Sequence, residues 1–240
     1  MVRAAPAAAI LARCMRRLLP LPILALVLLA AGCGDDGGGS TSTATTNGEP
    51  VVTDAADAGC RTVEAPAPKQ VDESRPTERL DPDATYVVTL ATSCGDIEIE
   101  LDQGRQPKTA ASFASLVGNR VFDGLTFHRV VPGFVIQGGD PAGNGSGGPG
   151  YEVRERPPRD AQYTRGVVAM AKTELDPAGT SGSQFFIVTG EDAGLPADYA
   201  IVGKVVGGED TVDRIAAVPT GATDEPQSPV VIESATLSER

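Results

Sequence analysis

The chain has 240 residues, 41% hydrophobic and 22% charged, enough for one ordinary globular domain with extra segments. It carries 32 Asp and Glu against 20 Lys and Arg, a net charge of -12, which disfavours nucleic acid and anionic lipid headgroups as partners. A single histidine rules out a histidine-rich metal centre, and the cysteines are too few for a zinc site.

Residues 1–32 contain Arg3, Arg13, Arg16 and Arg17 and no acid. Residues 18–31 (LLPLPILALVLLAA) are apolar and uncharged. A basic stretch before a short apolar run has the form of an export signal and is too short for a membrane span. It ends at Ala30-Ala31-Gly32-Cys33, which resembles the bacterial lipobox, with Ala30 where that pattern prefers Leu. The resemblance implies cleavage before Cys33 and lipidation of its sulfur, hence an exported protein held to the outer face of the cell membrane. Without residues 1–32 the charge becomes -16, from 16 basic and 32 acidic residues.

Residues 34–50 (GDDGGGSTSTATTNGEP) have too little apolar content to fold and read as a tether. Residues 51–84, rich in Pro, Ala and charge, read as extended. Residues 33–84 are therefore expected to be a flexible tether and extended lead-in, and 85–239 the folded domain. Cys14 leaves with the signal and Cys33 is acylated, so Cys60 and Cys94 remain, in an oxidising compartment. An even pair there suggests a disulfide. By loop entropy it would contribute roughly 3–4 kcal/mol.

Periodicity begins at Tyr86. Residues 86–92 and 96–102 read as strands around a Ser93-Cys94-Gly95 turn, the second alternating Ile97, Ile99 and Leu101 inward with Glu98 and Glu100 outward. Pro107 opens a helix with Ala110, Phe113, Ala114 and Val117 as its buried stripe, and Gly118 stops it. Strands are expected at 126–131, 134–139, 167–171, 183–189 and 200–206. A second helix follows at about 208–218 with Val212, Ile215 and Ala216 on one face, then a last strand at about 230–237. About eight strands and two helices fit a mainly β fold, a closed eight-stranded antiparallel barrel capped by two helices. The chain has no heptads or large apolar stripe, and a monomer is expected.

The chemistry narrows by elimination. His128 stands beside Arg129 on a strand, with no Gly-x-Ser-x-Gly turn to complete a serine triad. The GNGSGGPG stretch at 143–150 lacks the Lys-Ser/Thr pair of a phosphate loop. One segment, FHRVVPGFVIQGGDP at 127–141, gathers a cation (Arg129), an aromatic (Phe134) and an amide (Gln137) on adjoining strands. A second, Ser183-Gln184-Phe185-Phe186, adds another amide and aromatic; on a pleat one Phe enters the core while its neighbour faces a groove.

Phe127-His128-Arg129, Phe134, Gln137-Gly138-Gly139-Asp140, Asn144-Gly145-Ser146-Gly147-Gly148 and Gly182 through Ile187 closely resemble the signature of the cyclophilin family. The resemblance covers about residues 86–238. It implies the same barrel, peptidyl-prolyl isomerase activity on proline-containing polypeptides, and no cofactor. It also implies Arg129 and Gln137 as catalytic, with Gln137 holding Arg129 or the substrate carbonyl. Phe134, Phe186 and Leu195 would seat the proline ring. Val135 stands where Met is usual, Ala171-Lys172 match the segment that pairs with the peptide, Gln184 lines the neighbouring groove, and Tyr199 matches a His or Tyr position. Gly194 replaces a Trp that many eukaryotic relatives use to bind cyclosporin, so weak inhibition by that drug is expected. The alternative is a non-catalytic proline-peptide-binding module or chaperone on the same fold.

Overall fold

The computed structural model describes residues 58–240. The expected export signal, the expected acylation site at Cys33 and the expected 34–50 tether lie outside the described residues.

Among the described residues, eleven strands and two helices follow in chain order. They are β1 (Tyr86–Thr92), β2 (Gly95–Leu101), α1 (Pro107–Gly118), β3 (Leu125–Thr126), β4 (Arg129–Val131), β5 (Val135–Gly138) and β6 (Val153–Arg154). Then come β7 (Val167–Met170), β8 (Thr180–Ser181), β9 (Phe185–Val188), β10 (Ile201–Gly207), α2 (Glu209–Ala216) and β11 (Val231–Glu239). Nine strands form one antiparallel sheet in the order β3-β11-β1-β2-β10-β7-β9-β5-β4, and β6 pairs with β8 separately.

The expected closed eight-stranded barrel is therefore corrected to a curled nine-stranded sheet, open between β3 and β4. The predicted strand at 126–131 is two strands with different partners: β3 pairs with β11 and β4 with β5. Only Phe127 and His128 separate them, so the two edges of the sheet are joined by the chain itself. They do not pair with each other. Phe127 N donates to Val230 O at 2.9 Å, and Val130 N to Asp224 O at 2.8 Å.

The interior is built by facing residues of neighbouring strands. Val88 lies opposite Ile99 and Leu90 opposite Ile97, all fully buried. Val130, Ile136, Ile187 and Val168 form a second buried row across β4, β5, β9 and β7. Phe113, Phe122, Phe127 and Phe185 fill the centre, with ring centroids 4.8–6.0 Å apart and mostly edge-to-face contacts.

α1 begins at Pro107, whose missing N–H costs nothing in a first turn. Gln106 supplies no side-chain cap; Glu155, distant in sequence, accepts from Lys108 N at 2.9 Å and Thr109 N at 2.8 Å. The carboxylate thus satisfies donors the helix cannot pair itself and complements its dipole. α2 buries Val212 and Ile215, with Ala216 packed beside them.

Cys60 and Cys94 are joined by a disulfide spanning 34 residues. Residues 60–84 contain no helix or strand and run along the domain.

Candidate active site

The register of the sheet assembles the site. Arg129 lies opposite Gln137, Gln137 opposite Phe186, Phe186 opposite Ala169, and Ala169 opposite Ile201. Directly opposed residues share a face. This row stands one residue out of step with the buried Val130 row and faces away from the interior. Phe185 joins the central core at 0% exposure, while Phe186 joins a second apolar cluster with Val135, Tyr163, Ala169, Val188 and Ile201.

On that face a hollow of about 150 Å³ is lined by Arg129, Phe134, Val135, Gln137, Ala171, Lys172, Phe186, Leu195 and Tyr199. All nine are positions singled out from the sequence. The tenth, Gln184, lies just outside and accepts a hydrogen bond at its Oε1 from Gln137 Nε2, at 3.1 Å. Phe134, Leu195 and Tyr199 are half-buried at the mouth, and Val135 and Phe186 are buried. The result is a small apolar seat with two cations, Arg129 and Lys172, on its rim.

Arg129 is not held by Gln137. Its Nε donates to Asp224 Oδ2 at 3.3 Å, and its Nη2 lies 3.3 Å from the same oxygen. Gln137 turns instead to Gln184. Asp224, which holds Arg129 here, was not among the positions singled out from the sequence. It lies in the loop between α2 and β11, at φ 62, a conformation that Asp tolerates better than most residues. Its carbonyl accepts from Val130 N, which ties this loop to the strand bearing Arg129. Both partners are partly exposed, 39% and 44%, so the pair adds little stability and serves mainly to aim the guanidinium.

Tyr163 was also missed. Its hydroxyl donates to Tyr199 O at 2.7 Å and accepts from Tyr199 N at 3.0 Å. Its ring packs 5.9 Å from Tyr199 and 6.4 Å from Phe186, so it props both walls from behind. Burial pushes its phenol up to about 12. The sequence holds four tyrosines, and nothing local distinguishes this one. Lys172 extends its ammonium to 5.1 Å from the Tyr199 ring centroid, a cation–π contact at the rim.

The Gly-rich stretch frames the neighbouring groove. The buried Asp140 carboxylate accepts from Ala142 N at 2.9 Å and Asn144 N at 2.8 Å, which curls the loop. Gly145 O and Gly147 O then accept from Gln184 Nε2 at 3.0 and 2.9 Å. Gly139 is required where it stands: at φ +82 an added Cβ would lie 2.5 Å from Ser183 O. Gly194 has φ +62 and open space around its Cβ position. His128, between β3 and β4, is half-buried, and its ring nitrogens are shielded from solvent. Burial lowers its pKa, Asp140 opposes that shift, and Arg129 reinforces it.

A family model described as cyclophilin type peptidyl-prolyl cis-trans isomerase/CLD matches residues 87–237. Peptidyl-prolyl cis-trans isomerase B of Streptomyces anulatus is 41% identical over 170 residues, 63% of this chain and 96% of that protein. Peptidyl-prolyl cis-trans isomerase A of Mycobacterium tuberculosis is 39% identical over 174 residues, 65% of this chain and 94% of that protein. A crystal structure of a Cryptosporidium parvum cyclophilin type isomerase, determined in the presence of the dipeptide Ala-Pro, superposes with a TM-score of 0.60. It is 30% identical and covers 64% of this chain and 99% of its own. The motifs, the curled sheet and these relatives agree: the chain belongs to the cyclophilin-type peptidyl-prolyl cis–trans isomerase family and is an enzyme of that kind.

Proposed function

We propose that this protein catalyses rotation about Xaa–Pro bonds in exported polypeptides, assisting their folding outside the cytoplasm while a lipid on Cys33 anchors it to the membrane. The observation that carries the catalytic part is the Arg129 guanidinium, aimed by Asp224 at the rim of a seat made by Phe134, Phe186 and Leu195.

Rotation about a peptide bond meets a barrier of about 18–20 kcal/mol, because resonance holds the C–N bond planar. Uncatalysed Xaa–Pro exchange therefore takes tens to hundreds of seconds. No bond is made or broken; the enzyme must only favour the twisted amide over both planar forms. On twisting, the proline nitrogen becomes pyramidal and recovers a lone pair. A guanidinium, always protonated and rigidly forked, donates a hydrogen bond to that nitrogen, which is a poor acceptor while planar. The apolar seat grips the proline ring, so that the chain on one side of the bond turns against a fixed partner. Gln137, held by Gln184, offers its amide oxygen and remaining N–H to the peptide backbone beside the seat, while Gln184 is spent on Gly145, Gly147 and Gln137.

Catalysis is tested by NMR exchange spectroscopy of an Ala-Pro peptide with the wild type and Arg129→Ala. The wild type should accelerate exchange and the variant should lose most of that acceleration; equal rates would remove the catalytic assignment and leave a binding module. Export and anchoring rest on the basic and apolar leader and on Ala30-Ala31-Gly32-Cys33. Labelled palmitate should enter the wild type and not Cys33→Ser; label in both would contradict the anchor.

A further inference from the structure

The segment ahead of β1 is fastened to the loop that frames the substrate groove. Lys69 N donates to Pro141 O at 2.9 Å, and Glu73 N to Pro149 O at 2.7 Å. Lys69 Nζ donates to Val121 O at 2.9 Å, and Glu73 Oε2 accepts from Asn119 Nδ2 at 2.7 Å. Asp72 closes against Gly150, where an added Cβ would lie 2.6 Å from its carboxylate oxygen. Two residues beyond Glu73, Arg75 is thereby delivered to the edge of the groove.

Arg75 lines two hollows. One, of about 940 Å³, shares Gln137, Ala171 and Lys172 with the proline seat and continues from it. The other, of about 490 Å³, brings Arg75, Arg79, Lys108 and Arg154 together against Glu78 and Glu152. Residues 58–240 carry 16 basic against 27 acidic side chains, so four cations to two acids in one hollow runs against the composition of the surface. Ion pairs form elsewhere among the described residues, at Arg61, Arg129, Arg165, Arg214 and Arg240, but at none of these four cations. The positive charge is available to something outside the domain.

We propose that Arg75, with Arg79 and Arg154 beyond it, extends the substrate groove into a cationic subsite. It selects proline-bearing segments that carry an acidic side chain at a distance from the proline. The inference rests on the isomerase reading of the proline seat. The cations are solvent-exposed, so the selection is modest and salt-screened, about 3–10-fold in kcat/KM at low ionic strength.

The test uses the full chain and a set of peptides with one Ala-Pro bond, each with a single Glu or Gln placed at successive positions on either side. Exchange rates and peptide Kd are read by NMR at low and high salt. At one placement the Glu peptide should be preferred about 3–10-fold, high salt should erase the preference, and Arg75→Glu should reverse it. Lys204→Glu, the same charge change on β10 and away from both hollows, should leave the preference intact. Equal values for Glu and Gln peptides at every placement, or a preference that survives Arg75→Glu, would overturn the proposal. A chain that exchanges none of the peptides would remove the isomerase reading alone, and the acidic preference would then be judged from Kd by the same criteria.

Discussion

The two faces of the strands β4, β5 and β9 differ in how completely they are filled. Inward, Phe185 meets three other phenylalanines edge to face, and no surface is left open. Outward, Phe186 meets Tyr163 and Tyr199, but the packing stops short and leaves a hollow with Arg129 on its rim. Adjacent residues of one strand therefore serve opposite ends. The pleat gives one face to cohesion and the other to a ligand, and four of the six phenylalanines go to the first purpose, two to the second.

The sharpest way to break this contrast is to truncate one aromatic on each face. Phe185→Ala should cost about 3–5 kcal/mol in urea unfolding, because a fully enclosed ring leaves a cavity. Phe134→Ala, at the half-open mouth, should cost only about 1 kcal/mol in stability while raising the Kd of a proline peptide about 10–100-fold. Similar stability losses at both sites would show that the outward face is structural. The disulfide belongs with the inward face, since Cys60 and Cys94 join the central core. Cys60→Ser with Cys94→Ser should lower stability by about 2–4 kcal/mol and leave exchange by the folded fraction close to normal. Two free thiols in the unfolded, non-reduced protein after loss of Cys14 with the signal and acylation of Cys33, or four in the unprocessed chain, would contradict the bridge.

Smaller effects probe the boundary between the faces. Asp224→Asn should reduce kcat/KM about 2–10-fold and shift stability by under about 0.5 kcal/mol, as expected of an exposed pair that aims a catalytic group. His128, the only histidine, tests the inward side. Burial holds its folded pKa below the ordinary 6.5, so the unfolded chain takes up a proton first as pH falls. Stability should therefore be full above about pH 6.5 and decline below it, by at most about 1.4 kcal/mol per pH unit, until the folded protein also protonates. His128→Gln should flatten that decline; an unchanged slope would place the acid sensitivity elsewhere.

Strict alternation along Ile97, Ile99 and Leu101 made β2 legible, and Pro107 and Gly118 marked both ends of α1. The division of 126–131 into β3 and β4 was not legible, because the two halves look alike locally and differ only in distant partners. The two-residue strands β6 and β8 are too short to carry a period. In the site, residues inside the FHR and SQFF segments could be named, since neighbours in sequence share a strand. Asp224 and Tyr163 could not, since each sits outside the regular strands and reaches the site only through tertiary contacts. For the same reason the Gln137–Gln184 contact was not legible: register sets Gln137 opposite Arg129, while its amide reaches diagonally to Gln184 and leaves the expected hold on a substrate carbonyl open.

The proposed role of Arg129 is to stabilise the twisted amide, beyond binding the peptide. It is tested by separating affinity from the rate of exchange in the bound state, using NMR titration and exchange at saturating Ala-Pro peptide, for wild type, Arg129→Lys and Arg129→Ala. Arg129→Ala should slow bound-state exchange about 100–1,000-fold with a change in Kd below about threefold, and Arg129→Lys should recover only part of the loss because the fork is gone. Unchanged bound-state exchange, with the whole loss appearing in Kd, would contradict it.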